Sequence, residues 1–293
     1  AIDTRQVDLR LAPGVSEPRS LVGLRGAGLP PEGVPAERVM AAFAGGPASK
    51  RAADGEPALG FVADRRVSAP PVRGSWTIAL AEDGHAAVGP WPFGAELSAP
   101  FVSLRQTPDA IVGSTGPVHE LLPNATVAVE RSALGLLSSG QLVYAWSAHA
   151  TADTLARALA LAGCARAVPL AASPAPAGFA YLRPGAPAEP LARDVSLGPD
   201  PAPNDRFYLV LRSTAPPAPP GVTFAPDGGK QPTPAWLPAI HTAVVTDLGA
   251  QVHLTTFAPG RLAFRLRAGS REPATKAVVA LPGALSEAEL PRL

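Results

Sequence analysis

The residues that could begin any chemistry here are a pair of glycines. Ala41-Ala42-Phe43-Ala44-Gly45-Gly46-Pro47 runs from small apolar side chains into Gly45-Gly46. Successive backbone amides in such a turn can form a concave nest that holds an anion. Pro47 removes one donor from that nest, so a plain tight turn is the simpler reading. Five histidines are present, His85, His119, His149, His241 and His253. None has ligand spacing on a shared helix, and only His241 and His253 could meet, across a hairpin. Gly113-Ser114-Thr115-Gly116 lacks the Gly-x-Ser-x-Gly spacing of a nucleophile elbow. Gly23-Leu24-Arg25-Gly26-Ala27-Gly28 imitates a phosphate loop but runs into Pro30-Pro31 instead of a helix. Trp76, Trp91, Trp146 and Trp236 offer faces for a sugar, with core or edge packing as the default for each. Cys164 is the single cysteine, which rules out an intrachain disulfide and a multi-thiolate metal site. It follows an apolar helix and reads as a buried, inert thiol. No cofactor and no metal is expected.

The elements that position these residues must be short. A chain of 293 residues with 46% apolar side chains buries a substantial core. Aromatics make up 5%, so Ala, Val and Leu must fill most of it. Net charge is +1 without a basic block, which excludes a nucleic-acid footprint. Lys50, Lys230 and Lys276 are the only lysines, and the arginine-, alanine- and proline-rich usage fits a high-GC bacterial genome. No run of about 18 apolar residues occurs, so no transmembrane segment is expected. A sequence that opens on Ala1 is compatible with a removed leader or anchor.

The 36 prolines forbid long helices almost everywhere. Val7, Leu9 and Leu11 alternate with polar residues as a half-buried strand. Arg38 to Ala44 reads as a helical turn passing into a buried strand. Leu59 to Ala63 and Val67 flank an Asp64-Arg65-Arg66 turn. Trp76 to Leu80 and His85 to Val88 flank Glu82-Asp83-Gly84. Ser132 to Leu137 and Gln141 to Trp146 flank Ser138-Ser139-Gly140 as the clearest hairpin. The one helix expected runs from Ala152 to Ala162, capped by Thr151 and ended by Gly163. Arg166 to Leu170 and Arg206 to Leu211 are strands. Ala171 to Pro203 is read as an irregular surface loop with an apolar island at Phe179 to Leu182. Pro216 to Pro238 is a second Pro/Gly-rich excursion. Val244 to Thr246, Gln251 to Phe257 and Leu262 to Leu266 form a terminal antiparallel set, and Ser286 caps a last helical turn. The fold class is α+β, with mixed, mainly antiparallel sheets, few helices and long Pro-rich loops. Residues 1–212 are read as one domain, with 213–293 a C-terminal loop and antiparallel strands packed on it.

The order of these segments resembles the phosphodiester glycosidase family, whose eukaryotic members uncover mannose 6-phosphate tags. The resemblance spans roughly residues 1 to 212 and is carried by order and spacing. Gly60 to Val67, the Ser75 to Val88 hairpin, Val102-Ser103-Leu104-Arg105-Gln106 before Ala110-Ile111-Val112, Arg131 before Ser132-Ala133-Leu134-Gly135, and Thr151 to Gly163 occur in family order. The family's first motif is Ala-Ala-hydrophobic-Asn-Gly-Gly-Phe. Ala44 stands here at the Asn position and Pro47 at the Phe position. A bacterial branch carries Leu-Asp-hydrophobic-Asn-Pro, where this chain reads Leu170-Ala171-Ala172-Ser173-Pro174, with Ala171 in place of the acid. Arg206-Phe207-Tyr208 and Trp236-Leu237-Pro238 also look like that branch.

The resemblance implies a ligand site at Arg131, Arg105, Gln106, Gly45 and Gly46. The fork of Arg131 suits a phosphate or carboxylate, and Arg105 is a second candidate. Glycosidic cleavage normally needs a carboxylic acid and an opposing carboxylate or polar group. Ala44, Pro47 and Ala171 supply neither, so no catalytic residue is assigned. Asp109 and Asp205 are carboxylates that could stand in for the missing acid. The expectation is a non-catalytic, glycosidase-like binding or structural subunit at the bacterial envelope, in the periplasm or on the cell surface. Its partners would be a carbohydrate or sugar phosphate, or other proteins. Two alternatives stand beside it. One is an active hydrolase of glycosyl phosphodiesters or exopolysaccharide. The other is an assembly component whose Pro-rich loops wrap its neighbours.

Overall fold

Prolines and turn residues cut this chain into short apolar runs, and strands dominate as a result. The computed structural model describes residues 1–4, 7–14, 34, 38–45, 59–113, 116–117, 125–172, 178–182, 187, 189–191, 204–212, 218, 220–227, 238–247, 250–258 and 262. The chain divides into two units, Ala1–Arg212 and Ser213–Leu293.

In the first unit, β1 (Val7–Ala12) buries Leu9 and Leu11 and leaves Asp8 and Arg10 half-buried. β2 (Val39–Ala44) is small, apolar and almost wholly buried, so Val39 is already strand where a helical turn was expected. β3 (Phe61–Ala63) and β4 (Arg66–Ala69) join through Asp64-Arg65, whose φ values are 45° and 64°. Two left-handed residues match the twist of a hairpin, so Arg66 belongs to the strand and not to the turn. β5 (Trp76–Ala81), β6 (Ala86–Pro90) and β7 (Phe101–Thr107) follow. β8 (Val112–Gly113) and β9 (Gly116–Pro117) are two-residue strands. β10 (Val129–Leu137) and β11 (Leu142–Ala150) make a hairpin longer at both ends than its apolar runs suggest.

α1 (Ala152–Leu161) begins where Thr151 accepts a hydrogen bond from the Thr154 amide, with Asp153 in the first turn. It ends before Gly163, whose φ of +87° suits a residue without a Cβ. β12 (Cys164–Ala172) comes next. β13 (Phe179–Tyr181) and β14 (Glu189–Pro190) fall inside the segment read as an irregular loop. Phe179 stacks on Phe43 at 5.9 Å, and that contact draws the apolar island into the sheet as a strand beside β2. β15 (Arg206–Leu211) closes the unit and is buried along its whole length.

Three antiparallel sheets result, ordered β1-β15-β2-β13-β14, β11-β10-β12-β8-β9 and β4-β3-β7-β5-β6. They share one core, to which Leu11, Phe43 and Phe207 come from the first, Leu134, Val168 and Leu170 from the second, and Phe61, Ile78 and Leu80 from the third. The first sheet has a second apolar face of Ala12, Val39, Ala42, Tyr208 and Val210, so its central strands carry no polar alternation. α1 covers the other face of the second sheet with Leu155, Ala156 and Leu159. Gly135 permits that approach, because a Cβ there would lie 2.5 Å from Cys164 Sγ and 3.2 Å from Leu159 Cδ2. Cys164 is buried, and burial raises its pKa, which keeps it a thiol.

In the second unit, β16 (Ala225–Pro226), β17 (Ile240–Asp247) and β18 (Ala250–Phe257) form one antiparallel sheet. The expected strand at Leu262 to Leu266 and the helical turn at Ser286 lie outside the described residues, apart from Leu262. His241 pairs with Thr256 and His253 with Val244, so the two imidazoles leave the hairpin on opposite faces. His241 is 2% exposed, and its Nδ1 has no hydrogen-bond partner among the described residues. Burial lowers its pKa. A lowered native pKa means that the unfolded chain binds the proton first. Its contribution is therefore present above the ordinary histidine pKa and is lost as pH falls through the native value. Protection factors of the β17–β18 amides, corrected for the intrinsic pH dependence of exchange, are expected to fall between pH 7.5 and 5 in the wild type, and much less in His241→Gln.

Candidate functional site

β2 ends at Ala44, which pairs with Arg206 at the start of β15. One residue further, the Gly45 amide donates to the Asp205 carbonyl at 2.9 Å. The ladder thus carries Gly45 and Asp205 side by side past the strand ends. Arg105 lies on β7 in another sheet, and its Nε donates to Asp205 Oδ2 at 2.6 Å. The two side chains are 6% and 2% exposed. Burial pushes the Asp205 carboxyl above the usual carboxylate range, against the opposing pull of the Arg105 guanidinium.

A Cβ on Gly45 would stand 1.9 Å from Asp205 Oδ2 and 3.3 Å from Arg105 Nε. The residue is glycine because the carboxylate occupies the space of a side chain. Its amide is bonded to Asp205 rather than held out in a nest. Gly46 lies outside the described residues. Of the two carboxylates considered as substitutes, Asp205 is the one beside Gly45. Asp109 forms a local turn, its Oδ1 accepting from the Ala110 amide at 2.9 Å.

Gln106 follows Arg105 but points to the other face of β7. Its Oε1 accepts from the amides of Gly60 at 2.9 Å and Val72 at 2.8 Å. Its Nε2 donates to Val72 O at 2.9 Å and Thr77 Oγ1 at 3.0 Å. One amide thereby pins the segments on either side of the β3–β4 hairpin to β5 and β7. Gln106→Leu is expected to destabilise the protein by about 1–3 kcal/mol, because it strands buried partners without water. Denaturant unfolding monitored by tryptophan fluorescence measures this.

Arg131 is 4% exposed, and burial lowers its pKa. Its Nε donates to Ala150 O at 2.9 Å and its Nη2 to Val127 O at 3.2 Å. It shares a face of β10 with Ala133, which packs with α1. The structure thus brings Arg105 and Gly45 together through Asp205, while the bonds of Arg131 run to backbone carbonyls at the helix side of the second sheet.

The opposite face of β10 carries a group of which only Trp146 was singled out in the sequence. Ser132 pairs with Trp146 on one side and Ala171 on the other, and Leu134 pairs with Tyr144. Glu130, next to Arg131, turns away from it and accepts from Trp146 Nε1 at 3.0 Å. Tyr144 stacks in a tilted arrangement with Phe43 at 5.1 Å and Phe179 at 4.9 Å. Its pKa is raised by burial, with the Glu130 charge adding to the rise and the Ser132 hydroxyl opposing it. Ser132 is 1% exposed, and its Oγ lies near the phenol without completing a well-formed hydrogen bond. The hairpin turn at Ser138-Ser139-Gly140 fixes which residues face one another. Counting outward from that turn would have set Ser132 opposite Trp146.

Of the other tryptophans, Trp91 is core and donates to Gly94 O at 3.0 Å. Trp76 packs against the shared core, and Trp236 lies outside the described residues. Among the described residues, no group of three or more His, Cys, Asp or Glu side chains is placed to hold a metal ion.

No family model and no curated protein matches this sequence. Solved structures resemble it remotely. The catalytic domain of zebrafish N-acetylglucosamine-1-phosphodiester alpha-N-acetylglucosaminidase, auto-inhibited by its pro-peptide, aligns with a TM-score of 0.45 at 15% identity. That alignment covers 71% of this chain and 74% of the zebrafish one. A hypothetical protein from Synechocystis aligns with a TM-score of 0.40 at 11% identity, covering 71% of this chain and 57% of that one.

Proposed function

We propose that this chain is a phosphodiester glycosidase-like protein that has kept the scaffold of a hydrolytic site and works as a non-catalytic binding or structural subunit. The observation that carries this reading is the state of the polar groups around Gly45. Asp205, the carboxylate beside it, is buried and held at 2.6 Å by Arg105. Gln106 is bonded within the protein, and Arg131 is bonded to main-chain carbonyls. Positioning water and protonating a leaving oxygen both require a group that reaches substrate. Ala44 and Ala171 cannot do so. Incubation with glycosyl phosphodiesters, with released sugar followed by chromatography, tests the reading: no turnover is expected.

One observation favours the hydrolase reading instead. Asp205 has the raised pKa that suits a general acid. In that case turnover would be present and would vanish in Asp205→Asn with the fold intact. Placement at the bacterial envelope rests on the family resemblance. Cell fractionation tests it, with the chain expected in the periplasmic or surface fraction and a cytosolic location counting against it.

A further inference from the structure

We propose that β18 (Ala250–Phe257) is an interaction edge, and that it pairs antiparallel with β18 of a second copy of this chain. The two three-stranded sheets of the second unit would then run on as one. The inference is separate from the reading of the Gly45 site and holds whether or not the chain turns over a substrate. Among the described residues, Gln251 to Thr256 pair with β17 and with no other strand. An edge strand presents the N–H and C=O groups of alternate residues outward, and these form a template for another strand. Gln251, Val252, His253 and Thr255 are exposed, so side chains on both faces of β18 meet solvent.

The other sheet edges among the described residues are each blunted. β1 carries Asp8 and Arg10. β4 has four residues, opens on Arg66 and shifts register against β3. β6 ends at Pro90. β9, β14 and β16 are two residues long, and each contains a proline. β11 is the other long edge, but its ladder with β10 is irregular between Val129 and Arg131, and Ile2 bridges it at Leu142. Charge, proline, shortness and bulges are the usual devices against edge-to-edge pairing. β18 has none of them. It is eight residues long, holds no Asp, Glu, Lys, Arg or Pro, and keeps an unbroken register with β17 from Phe257 to Ala250.

The chemistry of the edge favours a second copy over a different partner. A two-fold axis normal to the sheet sets β18 against itself, so every residue meets residues of its own strand. An edge with a net charge would repel its copy. β18 carries no carboxylate, ammonium or guanidinium group, so no register sets such charges against their like, and nothing on it selects a charged partner. Val252, Thr255, Thr256 and Phe257 are residues that suit a pleated surface. The two-fold axis keeps the faces matched. Val252, beside Val245 on one face, and Phe257, beside Ile240 on the other, are exposed apolar side chains. Pairing gives each face cross-strand neighbours of the same apolar and Thr-rich kind.

Sedimentation velocity of the full chain over a range of concentrations tests this. One strand pair is a small interface, under about 1,200 Å², so a reversible dimer with a dissociation constant of roughly 10–100 μM is expected. Two double variants place one charge on each face of the edge at exposed positions: Val252→Lys/Thr255→Lys and Val252→Glu/Thr255→Glu. Each alone is expected to weaken association at least about tenfold, because like charges meet across the axis. An equimolar mixture of the two is expected to restore the dimer, which a merely misfolded variant could not do. In the wild type, hydrogen-exchange protection of the β18 amides is expected to rise with protein concentration. A chain that stays monomeric to about ten times that dissociation constant would overturn the proposal, and a strand from a different protein would then be the occupant to seek. A dimer untouched by both double variants, a mixture that stays monomeric, or concentration-dependent protection confined to other strands would each overturn it as well. Turnover of glycosyl phosphodiesters would overturn the non-catalytic reading and leave this one standing.

Discussion

Asp205→Ala is expected to lose about 3–5 kcal/mol of stability, the scale for removing one partner of a buried ion pair. The substitution leaves the Arg105 guanidinium in the interior without its carboxylate, where both side chains are almost wholly buried. Burying such a pair costs desolvation that offsets much of its attraction. Burial already pushes the Asp205 carboxyl up, which says that desolvation outweighs the attraction of Arg105. Removing both charges should therefore cost far less than removing one. The double variant Arg105→Met/Asp205→Leu is expected to recover most of the loss in urea unfolding. A double variant as unstable as Asp205→Ala would show that the pair does more than neutralise itself.

Gly45→Ala is expected to cost about 2–3 kcal/mol, toward the upper end for overpacking. The new Cβ would fall 1.9 Å from Asp205 Oδ2 and 2.7 Å from its Cγ. The carboxylate cannot swing aside without leaving Arg105. In the Asp205→Ala background the same substitution meets an empty space and should add little. A double-mutant cycle would then report a coupling of about 2 kcal/mol between residues 45 and 205. Additive losses would mean that Gly45 is required for some other reason, such as its backbone conformation.

These two effects explain why part of the site was legible in the sequence and part was not. The strands around it were readable because their apolar runs and turn residues agree. Val7–Ala12 alternates, Arg206–Leu211 is continuously apolar after its first residue, and the Ser138-Ser139-Gly140 turn marks its hairpin. The helix was readable from Thr151, Asp153 and Gly163. β13 was not, because three residues between prolines carry too little local signal, and only contact with Phe43 makes them a strand. Gly45 looked like a backbone feature, and the cause of that glycine sits 160 positions away in Asp205. Glu130 and Arg131 are adjacent in sequence. The pleat of β10 sends them to opposite faces, which only the strand's place between β11 and β12 decides.

The physical picture is of a site whose charges have been turned inward. Arg105, Gln106 and Arg131 hold sheets, loops and carbonyls together. The most direct test is a turnover assay of the purified full chain on a panel of α-linked sugar-1-phosphodiesters, with released sugar quantified against a buffer blank. The account predicts release at the blank rate across the panel. Saturable release that disappears in Asp205→Asn or Arg131→Lys, in variants whose unfolding curves show an intact fold, would contradict it.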